Sequence, residues 1–157
     1  MNRRHFLRSL AAAPAARASA RQAARIARLT FTPIEGRFHK FVAMNSYDTA
    51  PKGHTYSNTL VRVATDQGVE GVGVMEYAPA DEAFLASAKT LLGADPQALY
   101  EMRRGRITGR APAHAAALSK YKHLDGPLFD LIGKLNSVPC WKLIGDAARE
   151  RIEVYDG

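Results

Sequence analysis

A chain of 157 residues that is 46% hydrophobic suits one modest domain with a real core. Its formal charge of +7 overstates how basic the fold is: Arg3, Arg4, Arg8 and Arg17 fall in a removable N-terminal segment, and without them 18 cationic side chains stand against 15 acidic ones. The lone cysteine, Cys140, excludes an intramolecular disulfide and a cysteine-built zinc site; beside Pro139 and Trp141 it reads as a packed small residue.

Residues 1–20 read as an export address. Asn2-Arg3-Arg4-His5-Phe6-Leu7 carries the twin-arginine pattern, Leu10 to Ala16 is weakly apolar, and Ala18-Ser19-Ala20 resembles a small-residue cleavage site. That order favours the twin-arginine export machinery, and a periplasmic or extracellular location, over a disordered tail or an amphipathic helix on a membrane surface. The apolar run is too short to form a stable membrane anchor.

Arg25 to Thr32 alternates as a strand, Pro33 and Gly36 end or bend it, and Arg37 to Met44 is a second candidate strand. Asn45 to Ser57, with Asp48, Pro51, Lys52, Gly53 and His54, has loop chemistry. Thr59 to Thr65 alternates most clearly, Asp66-Gln67-Gly68 is a hairpin signal, and Val69 to Met75 returns. Gly71 and Gly73 sit inside that return strand, not before a helix, so they predict close approach of another backbone or a bulge, and no dinucleotide fingerprint.

From Pro79 the period becomes helical. Asp81 and Glu82 suit a first turn, Phe84, Ala88, Leu91 and Leu92 form one face, and Gly93 closes the helix. Asp95-Pro96 opens a further helix with Leu99 and Met102 inward. Arg103, Arg104, Arg106 and Arg110 then read as a solvated helix end, and without interleaved aromatics they make no nucleic-acid interface. Ala111 to Tyr121 predicts a helix, which Asp125-Gly126-Pro127 interrupts. Leu124, Leu128, Leu131, Ile132 and Leu135 follow at helical spacing, and Val138-Pro139 and Gly145 break the pattern. Arg151 to Tyr155 alternates as one strand without a visible partner, which gives the chain the look of one cut short. Meander strands, then helices, then one strand describe an α+β domain joined to the start of another.

Two segments in this order resemble the N-terminal capping domain of the mandelate racemase and muconate lactonizing group of the enolase superfamily. One is the hairpin from Val61 to Gly73 with Glu76 after it; the other is Leu128-Phe129-Asp130-Leu131-Ile132-Gly133-Lys134-Leu135 with Val138-Pro139 and Leu143-Ile144-Gly145. Met75, Pro127 and Asp146 depart from the family pattern. The resemblance implies a capping domain, a three-stranded antiparallel meander followed by helices, over residues 21–149, with residues 150–157 as the first strand of an incomplete TIM-type barrel. It also implies the family's chemistry, removal of the proton α to a carboxylate, with Mg²⁺ stabilising the enediolate and a Lys or His base, in a racemase, dehydratase or cycloisomerase.

The family's metal ligands and base would lie beyond Gly157, so no catalytic or metal-ligating residue is assigned, and the fragment alone is expected to be inactive. Lys120-Tyr121-Lys122 has the spelling of a lysine base pair but the wrong place in the order, and reads as solvated. The resemblance puts two loops over the barrel mouth, Met44 to Tyr56 and Glu76 to Asp81. Tyr47, Lys52, His54, Tyr56 and Tyr77 are the substrate-loop candidates, with cationic or hydroxyl groups suited to a small carboxylate substrate such as an acid sugar. His39 and His114 have no metal-like spacing to another ligand. The rival reading is a stand-alone binding or interaction module that reuses the cap fold, and a homo-oligomer stays open in both.

Overall fold

The structure, a computed structural model, describes residues 23–44, 50–76, 81–120, 122–147, 149 and 151–153. The expected export signal, Tyr47 and Tyr77 lie outside these residues. Three antiparallel strands, β1 (Ile26–Val42), β2 (Gly53–Thr65) and β3 (Glu70–Glu76), form one sheet in the order β1-β2-β3. α1 (Glu82–Lys89) follows, then a 3₁₀ turn at Pro96–Leu99 and a second, two-stranded sheet of β4 (Tyr100–Arg103) and β5 (Arg106–Arg110). α2 (Pro112–Lys120), a second 3₁₀ turn at Lys122–Leu124, α3 (Asp125–Leu135) and the short α4 (Cys140–Ile144) complete the order. Among the described residues no helix is long and apolar enough to cross a membrane.

The β2–β3 hairpin forms where Asp66-Gln67-Gly68 places it, with Gly68 at φ 78° and its N–H donating to the Thr65 carbonyl. Period-two alternation turns Val61 and Val63 to one face, where they are fully buried with Met75 against α3. α3 brings Leu128, Leu131 and Ile132 to the same core, and Leu124, Leu118, Leu99 and Leu143 close it from the side. Each such leucine contributes roughly 2 kcal/mol of burial relative to exposure. The helix can lie this close because β3 carries glycine at the crossing. A Cβ on Gly71 would stand 2.6 Å from that of Leu131, and one on Gly73 would stand 2.8 Å from the Pro127 nitrogen. Pro127 itself lies in the first turn of α3, so the helix that begins at Pro112 does not continue through Asp125-Gly126-Pro127 and a new one opens there.

Several expectations need correction. Pro33 and Gly36 do not divide two strands: β1 runs through both, because an edge strand pairs on one side only and tolerates a proline. The expected loop from Asn45 to Ser57 is in its second part strand, since β2 begins at Gly53 and pairs back as far as Val42. Asp95 caps its turn as predicted, accepting from the Gln97 N–H at 2.9 Å, but the helix stops after Leu99. Met102 then sits on β4, 36% exposed and not inward. The arginines are therefore on a hairpin and not at a helix end: Arg104 (φ 52°) and Gly105 (φ 78°) form its two-residue turn. α1 matches its sequence signals, with Asp81 accepting from the Phe84 N–H at 2.7 Å. Residues 151–153 carry no strand ladder, and residue 150 and residues 154–157 lie outside the described residues.

Candidate functional site

Beyond Pro33, the β1–β2 pair continues as an arm with none of the fully buried side chains that mark its base. Along β2 the inward row Thr59, Val61 and Val63 passes to Ser57 and Thr55, and the other face carries Tyr56 and His54. Gly36 stands opposite Tyr56, and the absence of a side chain there lets the ring lie over the strand: a Cβ on Gly36 would meet Tyr56 Cε1 at 2.7 Å. Near the tip the register breaks, so that Phe38 to Phe41 stand opposite the single residue His54. That bulge spreads two aromatic rings over the β2 side chains, Phe38 on Tyr56 with ring centroids 4.9 Å apart and Phe41 on His54 at 5.4 Å.

Of the five candidates, His54 and Tyr56 are thus neighbours on one face of the arm, and Lys52 immediately precedes the strand, while Tyr47 and Tyr77 lie outside the described residues. Sequence reasoning missed Arg37. It pairs with Thr55 in the ladder, and together with Glu35, Gly36, Tyr56 and Ser57 they line an open groove of about 500 Å³. The signal was available only once the Asn45–Ser57 segment is recognised as partly strand, because Arg37 meets Thr55 through β pairing. By their pairing Arg37, Thr55 and Ser57 share one face of the arm and Tyr56 lies on the other; an arginine beside two hydroxyl side chains suits the carboxylate and hydroxyls of a polyol acid. Among the described residues no three His, Cys, Asp or Glu side chains converge as a metal site.

A second polar cluster is structural. Tyr100 donates to Asp125 Oδ1 at 2.7 Å, and Arg110 pairs with Asp125 Oδ2. Burial, then the hydrogen bond to Asp125 and its charge, push the Tyr100 hydroxyl far above its usual pKa, against a smaller opposing effect of Arg110. The bond to Asp125 raises Arg110 as well. Both groups therefore hold their protons and fasten the β4–β5 hairpin to the start of α3. Burial also raises the Cys140 thiol, with the Asp130 charge adding to it, which disfavours a nucleophilic thiolate.

No family model matches the chain. In sequence it is similar to a D-xylonate dehydratase from Haloferax volcanii, 33% identical over 104 residues that make up 64% of this chain and 25% of that protein. In structure it is similar to an enolase from Streptomyces coelicolor described as a putative sugar isomerase, with a TM-score of 0.57 and 23% identity over 80% of this chain and 33% of that one. It is also similar to a mandelate racemase/muconate lactonizing protein from a Geobacillus species complexed with magnesium and tartrate, with a TM-score of 0.56 and 18% identity over 82% of this chain and 29% of that one. The described residues have the α+β fold of an enolase-superfamily N-terminal capping domain, a three-stranded antiparallel sheet with helices on one face. In sequence the chain is related to sugar-acid dehydratases, of whose length it spans about a quarter.

Proposed function

We propose that this chain is the N-terminal substrate-capping part of an exported, Mg²⁺-dependent enzyme that acts on sugar acids by removing the proton α to the carboxylate. The observation that carries this reading is the sequence likeness to D-xylonate and other sugar-acid dehydratases across a domain that folds as a cap. Metal ligands and base would come from a barrel, since the described residues hold no metal cluster. What this chain would supply is selection. On one face of the arm Tyr56 and His54 offer aromatic rings with polar atoms, and on the other Arg37 offers a two-pronged donor for a carboxylate.

The test is a chimera in which this cap replaces that of a sugar-acid dehydratase with known substrates, assayed over a panel of sugar acids. A shifted substrate order, with KM raised about tenfold by Tyr56→Ala or Arg37→Ala, is the expected result. A chimera whose substrate order follows the barrel donor alone, unchanged by both variants, refutes selection by the cap. Export is tested separately: a reporter fused behind residues 1–22 should reach the periplasm, and Arg3→Lys with Arg4→Lys should retain it in the cytoplasm.

A further inference from the structure

The β4–β5 hairpin carries a concentration of like charge that the fold does not explain. Arg103 and Arg106 are direct partners in the ladder, an arrangement that repels, and Arg104 fills the first turn position at φ 52°. Asn or Gly is the unstrained choice there. Of the three, Arg106 reaches one carboxylate, the exposed Asp146, while Arg103 and Arg104 meet no carboxylate among the described residues. Arg103, Arg104, Arg106 and Thr108 line an open concavity of about 490 Å³. The Thr108 hydroxyl donates to the Glu101 carbonyl at 3.2 Å, which leaves the guanidinium groups as the donors. Arg110, the fourth arginine of the hairpin, is held by Asp125.

We propose that the tip of this hairpin is a binding site for a multiply charged oxyanion, a phosphate group held between Arg103, Arg104 and Arg106. A bound dianion turns the repulsion of the Arg103–Arg106 pair into a shared attraction, and guanidinium forks match phosphate oxygens two at a time. Asp146 competes for Arg106, so binding exchanges an exposed ion pair for a stronger one. The hairpin is on a different element from the arm, and this site does not depend on the capping function.

The phosphate can be free or part of a lipid headgroup, and two arms of one experiment distinguish them. The full chain, with its arginine side-chain N–H resonances followed by NMR, is titrated with inorganic phosphate, with sodium chloride at matched ionic strength, and with phosphatidylglycerol or phosphatidylcholine vesicles. The comparison protein carries Arg103→Gln and Arg104→Gly, the latter suited to the turn, and circular dichroism checks its fold. Saturable binding of phosphate that weakens at least about tenfold in the variant supports a free oxyanion. Binding to phosphatidylglycerol vesicles only, lost in the variant, supports the headgroup. No saturable response to either, a response equal to that of sodium chloride, or binding unchanged in the variant overturns the site.

Discussion

Asp130 and Lys134 show what a familiar motif does in physical terms. β3 is an edge strand, and an open edge invites pairing with another chain. Asp130 Oδ2 accepts from the Val72 N–H at 2.8 Å, Lys134 donates to the Glu70 carbonyl at 2.9 Å, and the two side chains pair at 2.7 Å. One i,i+4 pair on α3 thus satisfies two backbone groups of β3. Asp130→Ala should lower stability by about 1–2 kcal/mol in urea melts and increase aggregation. Gly71→Ala should cost more, about 1–3 kcal/mol, because its Cβ meets the backbone of Pro127 and the Leu131 side chain; Gly68→Ala has open space and loses only about 1 kcal/mol to its positive φ. Tyr100 gives a pH signature. The unfolded tyrosine loses its proton near pH 10 and the folded one at higher pH, so between them the unfolded state binds fewer protons and stability falls as pH rises. Below about pH 10 the contribution is complete, and Tyr100→Phe should flatten the alkaline fall seen in thermal melts. The close approach at Gly71 and Gly73 was legible in the sequence, but the partner was not, since it lies more than fifty residues on.

At the scale of elements, the sequence was most legible where pattern and capping agreed. β2, its hairpin turn, α1 and α3 follow from alternation, a left-handed glycine, an aspartate cap and a leucine stripe. It was least legible where tertiary pairing overrode local signals. Pro33 reads as a stop, yet at a sheet edge it removes a donor that has no required partner, so β1 continues. Leu99 and Met102 fit a helical face, but Arg104-Gly105 closes a hairpin and Tyr100 is drawn to Asp125. The arm was invisible for the same reason, since Arg37, Thr55 and Tyr56 come together only through β1–β2 register. Gly36→Ala tests that element. Its Cβ would push the Tyr56 ring, which is movable, away from Phe38. Stability should change by less than about 1 kcal/mol, while the chimera with a dehydratase barrel should show a raised KM.

Considered whole, the molecule has a closed core and an uncovered corner. Among the described residues, fifteen buried side chains from the three-stranded sheet, the helices and the segments between them pack on one another. At the C-terminal end Trp141 is 48% exposed, Ile144 65% and Ile152 78%, and they line an open apolar surface with Gly145 and Ala147. The proposed role as a cap against a barrel would account for this exposed face, which such a neighbour would cover. Dye binding to apolar surface, reduced by Trp141→Ser with Ile144→Ser and unaccompanied by loss of folded structure, is the expected outcome; a stand-alone module with a covered surface gives little dye binding at the start. The most direct measurement is solvent deuterium incorporation at the α carbon of D-xylonate, D-galactonate and D-gluconate with this chain and Mg²⁺. A capping domain without its barrel gives no incorporation above buffer, and turnover above that background would contradict it.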